Sequence, residues 1–86
     1  MATFVIIPAD KDHAPLDKAI AEKFGNKSFC LPQGEWFVSY DGTSTQLSNE
    51  LGISDGAIGA AVVLNFSGYW GRAGKDIWEW LKENAG

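Results

Sequence analysis

The stretch TFVIIP, residues 3–8, decides the fold of this chain. Its β-branched and aromatic residues favour a strand, and the closing proline, which has no N–H to donate, predicts where that strand ends. Because side chains alternate along a strand, Phe4 and Ile6 share one face while Val5 and Ile7 share the other. Both faces are apolar, so the stretch predicts a central strand that is covered on both sides.

Local signals divide the rest of the chain into helices and strands. Pro15 stands where a helix begins, and Gly25 with Asn26 supplies a left-handed stop. A capping box, Thr43-x-x-Gln46, precedes a short helix that Gly52 ends. The predicted helices are Pro15–Phe24, a segment from Thr43 or Ser44 to Leu51, and about Lys75–Asn84; the further predicted strands are Ser28–Leu31, Glu35–Tyr40 and Ala60–Phe66.

The element order is therefore strand, helix, strand, strand, helix, strand, helix. Its first six elements match the ferredoxin-like βαββαβ sandwich, an α+β fold with a four-stranded antiparallel sheet and two helices on one face. We predict this fold with an extra C-terminal helix. The plan leaves the second sheet face bare, and either the C-terminal helix, through Ile77, Trp80 and Leu81, or a second subunit covers it. The pattern alone does not choose between them, and we favour the helix as the main cover, with Trp70 and Trp78 at its edge as a smaller partner site.

Length and composition are those of one small globular domain over residues 1–86. Hydrophobic residues make up 45% and charged residues 21%, with a net charge of −4, which excludes a disordered tail, a collagen-like chain and a coiled coil. The longest apolar runs, Phe4–Ala9 and Ala57–Leu64, are shorter than the roughly 18 residues that a membrane-spanning helix needs. A single cysteine and the lack of a secretion signal favour a cytoplasmic location.

The segment QLSNELGIS, residues 46–54, with Ile58 four residues on, resembles the first helix and turn of helix-turn-helix proteins. Ser48 and Gly52 fall at the usual offsets of that motif. The resemblance implies DNA binding through a second helix over residues 55–61. That stretch, DGAIGAA, has no Arg, Lys, Gln or Asn to read base edges, and its two glycines weaken a helix.

A second resemblance involves the sheet. The chain is similar to RNA-recognition motifs in element order and length, and matches their strand signatures at Phe4, Gly34, Phe37, Val38 and Tyr40. The resemblance implies that bases stack on the sheet. Two positions depart from it, because Gln33 stands where a basic residue is expected and Glu35 where an aromatic would stack. The net charge of −4 also opposes phosphate binding, so we expect nucleic acid not to be the partner.

The C-terminal part carries a third resemblance. Residues 67–73, SGYWGRA, and residues 77–82, IWEWLK, are similar to the ending of small uncharacterised bacterial proteins. This resemblance implies no activity.

Few residues suggest catalytic chemistry. His13, the sole histidine, follows Asp10 and Asp12 in a polar loop. No serine or cysteine lies at a spacing from it that would indicate a catalytic pair, so we expect a solvated histidine. Cys30 lies in an apolar strand and is predicted to be an inert core thiol. The two aspartates lack further metal ligands, and the G-x-x-G-x-x-G pattern of residues 68–74 does not match dinucleotide-binding spacing. We predict no catalytic, metal or cofactor site.

One loop has the composition of an interaction site. Tyr69, Trp70 and Arg72 combine two large aromatics with an arginine, which is typical of hot spots in protein interfaces. Trp78 lies one position off the buried stripe of the last helix and extends this candidate partner-binding surface. We therefore predict a small non-enzymatic protein-interaction module, alone or as a homodimer. The alternatives are a nucleic-acid-binding domain that uses the sheet or residues 46–61, and a small-ligand binder or enzyme that uses the Tyr69–Arg72 loop.

Overall fold

The computed structural model describes residues 2–68, residue 71 and residues 75–84. Within these residues the predicted elements are all present, and no bound differs from the predicted one by more than one residue. Along the chain they are β1 (Ala2–Pro8), α1 (Ala14–Phe24), a short 3-10 helix (Gly25–Lys27), β2 (Ser28–Cys30), β3 (Trp36–Tyr40), α2 (Ser44–Leu51), β4 (Ala61–Phe66) and α3 (Lys75–Asn84).

The four strands form one antiparallel sheet in the order β2-β3-β1-β4. Strand β1 is central, as predicted, and its Val5 lies opposite Phe37 of β3 and Leu64 of β4. Each helical connection passes over one strand, since β3 separates β1 from β2 and β1 separates β3 from β4. The protein is thus an α+β domain with an antiparallel four-stranded sheet, whose edges are β2 and β4.

The first face of the sheet holds the main hydrophobic core. Phe4 and Ile6 of β1 and Val38 of β3 have no solvent exposure on this face. Helices α1 and α2 cover it with apolar side chains at helical spacing, among them Leu16 and Leu47. The alternation predicted for β1 is confirmed, because Val5 and Ile7 lie on the second face. The predicted cover on both sides is only partly present, since Val5 is half-buried but Ile7 is exposed.

Helix α2 begins with the predicted capping box. The Thr43 hydroxyl accepts a hydrogen bond from the Gln46 N–H at 3.1 Å, and the Gln46 side-chain oxygen accepts one from the Thr43 N–H at 2.9 Å. These two bonds satisfy backbone donors that the first turn of a helix leaves without partners.

Helix α2 ends at Gly52, which has a φ of 80°. The Gly52 N–H donates to the Asn49 carbonyl at 3.2 Å, and the Ile53 N–H donates to the Ser48 carbonyl at 2.9 Å. These two bonds form a Schellman motif, which needs a left-handed residue at the position of Gly52. Ile53 then turns back into the core beside Leu47, as predicted.

The second helix implied by the helix-turn-helix resemblance is absent. Residues 53–58 form turns and bends, residues 59 and 60 have no regular structure, and β4 begins at Ala61. The physical reason is the pair Gly56 and Gly59, which adopt φ angles of 77° and 126° that no right-handed helix contains.

Helix α3 covers part of the second face. The indole of Trp80 stacks on the ring of Phe37, with ring centroids 5.8 Å apart, and packs against Phe29 at 6.2 Å. Its Nε1–H donates to the carbonyl of Asn26 at 3.3 Å. Trp80 and Leu81 are buried as predicted, whereas Ile77 is half-buried. The C-terminal helix therefore covers the β2–β3 side of the second face.

We predict that Gly52→Ala lowers the free energy of unfolding by roughly 1 kcal/mol, because a Cβ is disfavoured at positive φ. Chemical denaturation would measure this loss. Gly68→Ala is the matched control, since Gly68 lacks a positive φ and a Cβ there would have no atom within 4 Å. Equal midpoints for the two variants would contradict the role assigned to Gly52.

We also predict that Trp80→Ala lowers the free energy of unfolding by about 3–5 kcal/mol, the usual cost of truncating a buried aromatic. Trp80→Phe should lose less, since a ring remains against Phe37. The half-buried Trp78, on the same helix, provides a comparison. If Trp78→Ala were as destabilising as Trp80→Ala in urea denaturation, Trp80 would not be the anchor of α3.

Candidate interaction surface

The residues predicted to bind a partner are only partly described. Tyr69, Trp70 and Arg72 lie outside the described residues. Trp78 lies on α3 and is half-buried. The predicted loop therefore stays a prediction from the sequence. The described element that precedes it in the chain is β4, whose side chains lie on the two faces of the sheet.

An open apolar patch lies on the second face of the sheet, formed by Ile7, Val62 and Leu64. These side chains are 39%, 50% and 47% exposed, respectively. Ile7 lies directly opposite Val62, and Leu64 lies opposite Val5, so all share one face across β1 and β4. Sequence reasoning placed apolar residues on both faces of these strands but did not select this patch. The available signal is in AVVLNF, residues 61–66. Every second residue there, Val62, Leu64 and Phe66, is large and apolar, and the stretch carries no charge.

The open patch borders the aromatic cluster under α3. Phe37 lies between Trp80 and Phe66, whose ring centroid is 5.5 Å from that of Phe37. The cluster continues across the sheet toward β4, where the exposed aliphatic side chains follow. The second face thus has an aromatic half that α3 covers and an aliphatic half open to solvent.

Asp10 holds the start of β4 in place. Its carboxylate oxygen Oδ2 accepts a hydrogen bond from the Ala60 N–H at 2.8 Å. The Ala9 N–H donates to the Ala60 carbonyl at 2.9 Å, which continues the β1–β4 ladder by one residue. A Cβ on Gly59 would lie 3.0 Å from the same carboxylate oxygen, so a glycine lets the loop approach this closely. Asp10 has a structural role that links two loops far apart in sequence.

Asp12 and His13 form the entrance to α1. The Asp12 carboxylate accepts a hydrogen bond from the Ala14 N–H at 3.3 Å. Nδ1 of His13 lies 2.9 Å from Oδ2 of Asp17, and it carries the proton because a carboxylate can only accept. The Trp36 indole N–H donates to the same carboxylate at 2.8 Å. The prediction of a solvated loop histidine is wrong, because His13 is half-buried and bonded within the first turn of α1.

The spacing of His13 and Asp17 could have indicated this pair. Residues four apart lie on one side of a helix, and a carboxylate in the first turn is also favoured by the helix dipole. The long-range bond from Trp36 has no sequence signal, because it depends on how β3 lies beside α1.

Cys30 lies at the surface, so its predicted place in the core is wrong. The physical reason is that β2 is an edge strand of three residues and Cys30 is its last residue. Partial burial of the thiol raises its pKa, and the negative charges of Asp17 and then Glu35 raise the pKa further. Since the thiolate is the nucleophilic form, this environment opposes reactivity. His13 and Cys30 are not joined by a hydrogen bond in the described part of the chain.

The aromatic residues of the RNA-recognition resemblance do not share an open face. Phe4 and Tyr40 lie on the first face, with ring centroids 6.1 Å apart, and Phe4 is fully buried. Phe37 lies on the second face, where Trp80 stacks on it. Bases therefore find no open aromatic platform at these positions.

Residues 2–68, 71 and 75–84 contain no cluster of three or more His, Cys, Asp or Glu side chains that could hold a metal ion. Over the same described residues, no helix combines the length and the apolar character that crossing a membrane requires. Comparison of the sequence with protein-family models and with curated proteins gives no match.

We predict that Glu35→Gln accelerates the reaction of Cys30 with a thiol reagent at pH 8. Removing one negative charge lowers the raised pKa of the thiol, so a larger fraction is thiolate at that pH. The control is Glu22→Gln on the exposed side of α1, which should leave the rate unchanged. Both variants should match the parent protein in denaturant. An unchanged native rate for Glu35→Gln would contradict this account of Cys30.

Proposed function

We propose that this protein is a small non-enzymatic interaction module that binds a protein partner through the open patch and the neighbouring edge strand β4. We assign its architecture to the ferredoxin-like βαββαβ plan with an added C-terminal helix. The strand order β2-β3-β1-β4, with antiparallel neighbours throughout, supports that assignment. The single cysteine agrees with work in a reducing compartment such as the cytoplasm.

The observation that carries the proposal is the exposure of Ile7, Val62 and Leu64 on one continuous surface. Scattered exposed aliphatic residues are common, but contiguous apolar patches beside polar surface are typical of interaction sites. The three side chains lie on adjacent, directly paired strands, so a flat partner would contact all of them at once.

The patch needs a second source of binding energy. Burying the exposed half of an aliphatic side chain contributes about 1 kcal/mol, so the patch contributes roughly 3 kcal/mol. A micromolar complex requires about 8 kcal/mol. The backbone edge of β4 lies next to the patch and supplies hydrogen bonds that an added strand can accept and donate.

The predicted Tyr69–Arg72 loop follows β4 closely in the sequence. Tyr69 is three residues beyond Phe66, the end of β4, and Trp70 and Arg72 follow within the next three residues. We include them, with Trp78, as the flank of the binding surface. Large aromatics and arginine supply the anchors that an aliphatic patch lacks.

The alternatives have less support. The net charge of −4 repels the phosphates of a nucleic acid. On the second sheet face, Trp80 already stacks on Phe37, so a base cannot stack there. An enzyme or small-ligand binder would depend on the Tyr69–Arg72 loop, whose Tyr69, Trp70 and Arg72 lie outside the described residues.

Site-specific photo-crosslinking tests the proposal. A photoreactive phenylalanine analogue at Leu64 should give discrete protein adducts in the producing cell, because Leu64 is an exposed residue of the open patch on β4. The same analogue at Lys18, exposed on α1 under the opposite face, should give none. Adding Val62→Lys to the Leu64 probe should remove the adducts, since a charge then lies inside the patch. Equal adducts at the two sites would overturn the proposal.

A further inference from the structure

We propose that the partner is a second copy of this chain, joined by antiparallel pairing of the two β4 edges about a twofold axis at Val63. This inference rests on the proposed function, since it names the partner of the same surface. The two four-stranded sheets would then form one continuous eight-stranded sheet, with the two open patches on the same face.

The hydrogen bonds of β4 alternate between its two sides. The Ala9 N–H donates to the Ala60 carbonyl, so Ala9 and Ala60 form a hydrogen-bonded pair of the antiparallel ladder. Such pairs alternate with non-hydrogen-bonded pairs along the strand. Residues 62, 64 and 66 therefore direct their backbone groups toward β1. Ala61, Val63 and Asn65 direct theirs toward the open edge, where no strand of the described chain pairs with them.

The outward groups of β4 are complementary to themselves. A twofold axis at Val63 places Val63 opposite Val63 of the second copy, and Ala61 opposite Asn65 of the second copy. These are three hydrogen-bonded pairs made by the residues whose backbone groups point outward. The register is thus set by the alternation of the ladder and by the length of the strand, Ala61–Phe66.

The same axis brings the open patches together. Val62 then lies opposite Leu64 of the second copy in a non-hydrogen-bonded pair, the geometry in which side chains approach most closely. The reciprocal pair forms on the other side of the axis. Val62 and Leu64 are the most exposed large aliphatic residues described, at 50% and 47%, and this pairing buries part of each side chain against its cross-strand neighbour in the other copy.

The two edge strands, β2 and β4, differ in length and in the residues that discourage pairing with another strand. Strand β2 has three residues, with Lys27 before it and Pro32 shortly after it, and both features discourage edge pairing. Strand β4 has six residues and neither a proline nor a charge. Two chains that each carry a net charge of −4 can meet at β4 without placing like charges opposite each other on the paired strands.

The size of this interface sets the expected affinity. One six-residue strand and its neighbours bury less than the roughly 800 Å² per partner of a standard stable interface. We therefore expect a reversible dimer with a Kd in the micromolar range.

Sedimentation velocity and amide exchange test the dimer on the unmodified chain. Between roughly 1 μM and roughly 1 mM the mass should rise from 9.3 kDa toward twice that value. The Val63 amide should be protected from exchange only at the high concentration, since it points to the open edge. The Leu64 amide, paired with β1, should be protected at both. A monomer at 1 mM, or a Val63 amide protected equally at both concentrations, would overturn the proposal.

A charge-exchange pair tests the register. Val62→Lys with Leu64→Lys places like charges opposite each other across the axis, and so does Val62→Glu with Leu64→Glu. Each double variant should be monomeric, and an equimolar mixture should form a heterodimer. Dimers of either double variant alone, or a mixture that stays monomeric while the parent chain dimerises, would overturn this register. If either double variant fails to fold by circular dichroism, the Val63 exchange measurement decides the proposal by itself.

The crosslinking result separates this inference from the proposed function. Adducts at Leu64 with twice the mass of the chain support both. Adducts with a different protein, from a chain that is monomeric at 1 mM, leave the interaction module standing and overturn the dimer. No adduct above the Lys18 control overturns both.

Discussion

Strand β1 is apolar on both faces and lies in the middle of the sheet, and this constraint shapes the rest of the molecule. Phe4 and Ile6 require one cover and Val5 and Ile7 require another. Helices α1 and α2 meet the first requirement with a closed core. The second requirement is met only in part, by a C-terminal helix that is anchored by the stacking of Trp80 on Phe37, and Ile7 stays exposed. Removing solvent from the first face and from part of the second is what allows so short a chain to hold a core.

The partial cover of the second face follows from helix dimensions. A helix of ten residues is about 15 Å long and, with side chains, about 10 Å wide. Four strands about 4.8 Å apart span more than one such width. Because Trp80 lies against β2 and β3, through Phe29 and Phe37, the aliphatic residues of β1 and β4 remain open. The candidate surface is a consequence of where that one anchor sits.

Several polar side chains that resemble catalytic groups are used to position the backbone or each other. Asp10 accepts the Ala60 N–H at the start of β4, and Asp17 accepts hydrogen bonds from both His13 and Trp36. Cys30 lies among neighbours that favour its neutral thiol. The carboxylates of Asp10 and Asp17 are therefore used in structural hydrogen bonds. The surface that stands out is apolar, which is why the proposed function is recognition of a partner.

The sequence by itself determined the elements, their ends and the side of each strand that faces the core. Those features rest on local physical chemistry: alternation in β1, the capping box at Thr43 and the left-handed glycine at Gly52. It did not determine which half of the second face is open, since that depends on where α3 lies. It also misplaced Cys30 and His13, because the exposure of an edge residue and the bond from Trp36 depend on neighbours distant in sequence. Only the tertiary structure decided that Val62 and Leu64 are exposed on β4, an edge strand of the sheet in the described part of the chain. The physical reason is that the alternation of a strand shows that two faces exist, but not how far a cover of fixed width extends across them.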